Sequence, residues 1–263
     1  MIAGIIAVAF EKPTTKDFVW PCWGPSIRVG GISFCMNFVF FLLLLAMGLY
    51  SALFYLAFRR PKTIPGRLQA LMEMGLEFVR EQIVMQMIGP EGMPFFALLS
   101  AFFFFIFFAN ILEVLPGVNL ALTSRIAFPI VLAIVSWVTY NAVGIRRHGF
   151  TGYMKLVLFP PGAPIILYFL LSPIEFFTTI LVRPVTLSVR LFANLVAGHF
   201  LLAVFFLGSI ALLSSAVTFV FGLVSGAMAV VMVGFEIFVS LLQAFIFSVL
   251  SASYIAGAMA SEH

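Results

Sequence analysis

The chain has 263 residues, 63% of them hydrophobic and 9% charged. A soluble domain carries about 45–50% apolar and about 25% charged residues, so this composition excludes a soluble globular fold and marks a polytopic membrane protein. The long apolar runs along the chain make the expected fold all-α. The formal net charge of +4 is no sign of nucleic-acid binding, because the basic residues fall in short segments beside apolar runs, where they set membrane orientation.

Residues 1–32 read as an N-terminal segment outside the membrane or at its surface. The opening MIAGIIAVAF has no positive start and too short an apolar core for a signal peptide, so it reads as part of the mature chain. The stretch 11–31 is irregular and rich in Pro, Gly and Trp, with Trp20 and Trp23 suited to the bilayer interface. Cys22 and Cys35 form neither a disulfide framework nor a metal-ligand spacing, and no metal or other cofactor is expected.

The membrane domain is expected over 33–260. A first span at 33–58 ends at Arg59, Arg60 and Lys62, which mark the cytoplasmic side. Residues 64–88 carry Leu68, Leu71, Met72, Leu76, Val79 and Ile83 at helical spacing, with Glu73, Glu77, Arg80 and Glu81 elsewhere. That pattern is an amphipathic helix laid along the membrane surface. A second span at 94–115 contains AFFFFIFFAN, with Asn110 and Glu113 three residues apart near its far end, on one helix face. They suit a wetted entrance or an ordinary interface equally well. The third span, 126–145, runs into Arg146, Arg147 and Lys155, and the loop 146–164, with three prolines, reads as a break.

The remaining sequence forms two apolar stretches, 165–207 and 211–260, with Gly208-Ser209 as the only obvious turn between them. At about 1.5 Å per residue each is far longer than a hydrocarbon core of about 30 Å. Each therefore holds two spans or one steeply tilted helix, and hydropathy does not choose. Pro173 and Pro184 would kink the first stretch without ending it.

Within this region Arg190 is the sole residue with a formal charge between Val185 and Gly234. A guanidinium in such a run costs roughly 2.5–3.5 kcal/mol on insertion scales and cannot shed its proton. Intramembrane charges are functional by default, and the bland alternative of snorkelling fits poorly where apolar sequence continues on both sides. Asn194 projects on the face of Arg190, whereas His199, nine residues on, projects nearly opposite; Glu236 and Gln243 share a face of the last helix. These groups suggest two wet regions divided by a permanent positive charge. His and Glu can pass protons while Asn and Gln hold water, although each also has an ordinary packing role available.

PVTLSVR at 184–190, RLFANLVAGH at 190–199, LLQAFIFSVLSASYI at 241–255 and FANILEVLPG at 108–117 closely resemble subunit a of the F-type ATP synthase, over about Ser33 to Ala260. The resemblance implies about five membrane helices plus one surface amphipathic helix, the last two long and tilted as a hairpin against a ring of c subunits. It implies Arg190 as the stator arginine facing that ring, Asn194 and Gln243 as its polar neighbours, and His199 and Glu236 as half-channel residues. Asn110, Glu113 and Glu175 fall near positions lining the outer half-channel. The implied protein is not itself a catalyst. Its implied partners are the c ring, peripheral-stalk b subunits, the rest of the complex and the lipid bilayer, with no nucleic acid. Its implied place is an energy-coupling membrane, the bacterial plasma membrane in preference to the mitochondrial inner membrane. The alternative is a self-contained secondary transporter with Arg190 in a substrate site. Such folds show internal repeats, and none is convincing here.

Overall fold

The computed structural model describes residues 27–29, 32–34, 38–112, 126–159, 165–213 and 218–260. Apart from a short antiparallel hairpin, β1 (Ile27–Val29) and β2 (Ile32–Phe34), and short connections such as 59–66, the described chain is helical. Ser33 thus lies in a strand, and the first apolar helix, α1 (Phe38–Phe58), starts later than position 33. The chain continues through α2 (Arg67–Phe78), a π-helical turn at Val79–Met85 and a 3-10 turn at Pro90–Phe95 into α3 (Phe96–Ile111). Then follow α4 (Ala127–Leu158), α5 (Ile165–Phe177), a π-turn at Thr178–Val182, α6 (Arg183–Leu213) and α7 (Phe219–Met259).

Among the described residues four stretches are long and apolar enough to cross a membrane: Pro90–Ile111, Ala127–Leu158, Tyr168–Leu213 and Phe219–Met259. Helix α1, with 21 residues, is about 30 Å long and adds another of bilayer length. The last two stretches are continuous rods of 46 and 41 residues, or about 70 and 60 Å. Neither is a pair of spans. Rods of that length fit a core of about 30 Å only by tilting or by protruding from it.

Helix α3 is the centre of the core, and its phenylalanine run explains why. Successive helical side chains step by about 100°, so neighbouring phenylalanines point to different partners. Phe102 meets Phe247 of α7 edge-on at 5.3 Å, Phe103 lies 5.8 Å from Phe78 of α2, and Phe104 meets Phe54 of α1 edge-on at 5.0 Å. Helix α2 docks on this wedge through Met72, and the following turn docks through Val79, Ile83 and Val84; Leu68 and Leu71 remain exposed. The buried face is therefore narrower than the apolar periodicity of 64–88 suggests.

Two breaks expected from the sequence take a different form. Residues 146–158 are helical instead of a loop: α4 turns at Gly149, whose φ of 71° suits glycine, and continues to Leu158. The leg beyond the turn packs Tyr153 against Gly144, where a Cβ would lie 2.3 Å from the tyrosine ring. Nor does the chain reverse at Gly208-Ser209, because α6 runs on to Leu213. Those small residues let two backbones approach. The Ser209 hydroxyl donates to the Gly222 carbonyl at 3.1 Å and the Ser225 hydroxyl to the Phe205 carbonyl at 2.8 Å. A Cβ at Gly222 would sit 2.7 Å from the Leu213 nitrogen.

Candidate functional site

The site is built from the antiparallel pair α6 and α7. On α6, Leu187, Leu191 and Leu195 recur every fourth residue and are buried. The same periodicity leaves Arg190, Ala193, Asn194 and Ala197 on the exposed side. Arg190 thus stands on an outward face with small neighbours, where its guanidinium is unobstructed by the helix's own side chains. The exposed ion pairs Arg80–Glu81 and Arg147–Glu91 lie elsewhere and do not involve Arg190.

On α7 the buried stripe is unusually polar for a membrane helix. Glu236, Ser240, Gln243, Phe247 and Ser251 follow one another at three- to four-residue spacing and turn inward. Gln243, 2% exposed, accepts a hydrogen bond from the Asn194 amide nitrogen at 3.1 Å. This bond ties the edge of the Arg190 face to the interior of the bundle. It also fixes the Gln243 amide so that its oxygen points at α6.

About one turn beyond Asn194 on α6, Gly198 lies against the Glu236 side chain. A Cβ there would be 3.1 Å from Glu236 Oε1 and 3.7 Å from its Cγ. Glycine at 198 therefore makes the room that the carboxyl occupies. A cavity of about 80 Å³ opens at this point, lined by Asn194, Leu195, Gly198, Leu201, Glu236 and Val239 among others. A pocket of that volume has space for a few waters, and Asn194 and Glu236 supply the polar side chains on its largely apolar wall. The Glu236 carboxyl is itself buried, at 6% exposure for the residue. A buried carboxyl beside room for water can take up and release a proton along a short hydrogen-bonded chain.

His199, next to Gly198, is half-buried on α6, and Glu175 is half-buried on α5. Asn110 is fully buried in α3. None of the three lines the cavity. Glu113 lies outside the described residues. The structure therefore brings together Asn194 with Gln243, and Asn194 with Glu236 around one cavity, and it adds Gly198. Sequence reasoning passed over that glycine although it stands directly before His199 in the AGH triplet. Arg190 and the Gly198–Glu236 contact are separated by eight residues of one helix, about 12 Å along its axis.

The family model described as the ATP synthase A chain matches residues 38–256. The chain is 41% identical over 256 residues to the ATP synthase subunit a of Frankia alni, covering 97% of this chain and 88% of that protein. It is 43% identical over 254 residues to that of a Parafrankia species, covering 96% and 85%. With the ATP synthase subunit a of Rhodospirillum rubrum the identity is 38% over 230 residues, covering 88% and 91%.

Proposed function

This chain belongs to the ATP synthase subunit a family, and from that premise we propose that it is the stator half of the proton path in the membrane sector. Two half-channels serve a rotating ring of c subunits, each bearing one proton-binding carboxyl. Peripheral-stalk b subunits hold the chain still, nucleotide chemistry belongs to other subunits, and the membrane is the bacterial plasma membrane.

The observation that carries this reading is the placement of Arg190. It is exposed on the outer face of α6 beside Ala193 and Ala197, while the Glu236 carboxyl is buried against Gly198 within the same hairpin. A permanent cation presented outward between small side chains suits a passing carboxylate better than a resident one. A standing buried ion pair would hold the partner in place, since breaking one leaves a charge uncompensated.

In the proposed cycle a proton enters from outside past Asn110, Glu113 and Glu175, moves along His199 and Glu236, and neutralises a ring carboxylate. The neutral carboxyl then travels through lipid, where a charged one would be costly. At the inner half-channel the proton leaves as the carboxylate nears Arg190, with Asn194 and Gln243 steadying the polar contacts there. Arg190 also keeps the two water paths from joining, because a fixed positive charge repels a proton. Each proton contributes about 2.3 kcal/mol per 100 mV.

The test is ATP-driven and potential-driven proton pumping in membranes carrying the whole complex with Arg190→Ala. Loss of coupled pumping with a passive proton leak is expected. Near-normal coupled pumping overturns the assignment.

A further inference from the structure

Helices α5 and α6 are joined by the π-turn Thr178–Val182, in which the Arg183 N–H bonds to the Thr178 carbonyl, five residues back. The cause lies in the sequence. Residue 184 is proline, which has no N–H and whose ring crowds the carbonyl four residues earlier, that of Ile180. Widening the turn by one residue relieves that clash and moves the missing bond to Thr179. In an α-turn the Thr179 carbonyl would accept from Arg183; in the π-turn its partner would be position 184, where no N–H exists.

Thr179 is 3% exposed, and an unpaired buried carbonyl is costly, more so in a bilayer. The hydroxyl of Tyr140, on α4, donates to it at 2.6 Å. Helix α7 grips the other end of the turn. The Tyr254 ring lies edge-on to Tyr140 at 5.6 Å, and the Arg183 guanidinium sits over that same ring, 5.0 Å from its centre. Two neighbouring helices thus clasp one widened turn, at Thr179 and at Arg183.

The widened turn decides where α6 points. Replacing it by a regular α-turn would rotate everything after it by about one residue step, about 100°. Arg190 would then take the direction now held by Leu191, and Asn194 that of Leu195, which are 0% and 4% exposed. We infer that Tyr140 is a positioning residue: its hydroxyl, bonded to the Thr179 carbonyl, holds the π-turn and so sets the rotational phase that turns Arg190 outward. The consequence for pumping rests on the role proposed above for Arg190; the consequence for helix phase does not.

The experiment uses Tyr140→Phe in the whole complex, which keeps the ring and removes only the hydroxyl. ATP-driven pumping per assembled complex is expected to fall by up to roughly fivefold, since losing one hydrogen bond shifts the balance between the π-turn and the α-turn by about that factor. Deleting Leu181, which is 50% exposed, together with Pro184→Ala leaves a four-residue turn with the native phase beyond it and an N–H at 184 for the Thr179 carbonyl, so this deletion should restore most of the pumping to Tyr140→Phe. A packing defect would not be rescued in this way. Phase is read independently by a Gly198→Cys, Glu236→Cys pair, with Cys22 and Cys35 replaced by Ser. This pair should cross-link in the otherwise native chain, lose the cross-link with Tyr140→Phe and regain it with the deletion. If Tyr140→Phe does not assemble, Tyr254→Leu, which removes the ring under Arg183, is expected to show the same loss and the same rescue. Undiminished cross-linking in both tyrosine variants, or a pumping defect that the deletion leaves unchanged, overturns the inference. A normal cross-linking pattern of loss and rescue alongside normal pumping by Arg190→Ala would sink the stator reading and leave the helix-phase inference standing.

Discussion

The α3 wedge and the α6–α7 hairpin solve one problem by opposite means. Helices in a bilayer gain little from the hydrophobic effect on meeting, so contact has to come from close packing and hydrogen bonds. Around α3 the contacts are made by volume, with Phe102, Phe103 and Phe104 each filling the space to a different neighbour. In the hairpin they are made by absence of volume. Gly222, Ser209 and Ser225 bring backbones together near the tip, and Gly198 gives its space to the Glu236 carboxyl. The aromatic region holds the bundle together, whereas the glycine and serine region holds polar atoms beside a cavity. Substitutions in the two should therefore separate stability from turnover.

The largest expected effect is Glu236→Gln, which removes a titrating carboxyl and should lower proton pumping by on the order of a hundredfold. The unfolding midpoint of the subunit in detergent should stay unchanged or rise, since a buried ionisable group is gone. Comparable unfolding would erase the contrast between the regions. Next comes Phe104→Ala, which empties the centre of the wedge beside Phe54 and Gly75. It should cost about 3 kcal/mol in a denaturant titration, with pumping per assembled complex unaltered. If turnover falls while stability holds, α3 is part of the proton path and not only its support.

Gly198→Ala sharpens the comparison further. The new methyl would stand 3.1 Å from the Glu236 oxygen, so the carboxyl has to shift by a few tenths of an ångström. Pumping should fall severalfold with a stability loss of about 1 kcal/mol, the low end of overpacking. Gly257→Ala, where nothing lies within 4 Å of the added methyl, is the matched control and should change neither. The smallest effect belongs to Arg147→Gln, which breaks the exposed ion pair with Glu91. Exposed pairs contribute little and are screened by salt, so unfolding midpoints at low and high ionic strength should nearly coincide with wild type.

Much of this arrangement is legible in the residues alone. The uncharged context of Arg190, its shared face with Asn194, and the long apolar stretches need only periodicity and the cost of a buried charge. The unread parts have a common cause: glycine and proline each signal more than one thing. Gly208-Ser209 reads as a turn but serves close approach, and the difference depends on Gly222, Ser225 and Gly226 lying opposite, which no local window contains. Pro184 reads as a kink, yet the widened turn it causes is held by Tyr140, 39 residues away along the chain. The prolines near 160 suggested a loop from 146, whereas one glycine in the left-handed region lets the helix resume after a sharp turn. Asn110 is visible as a polar residue near the end of a span, but its complete burial depends on the helices packed around α3.

The tip of the hairpin carries a mechanical consequence. Both serine bonds there end on backbone carbonyls, so they join main chain to main chain with only one short side chain between. A link of that kind has little slack: it resists sliding and axial rotation far better than interleaved long side chains, which yield by changing rotamer. A sideways push at Arg190 would then be felt by α6 and α7 as one beam and passed to whatever anchors the bundle. Stiffness at one end of the beam, remote from any charge, would govern how much of each stroke is lost as elastic recoil.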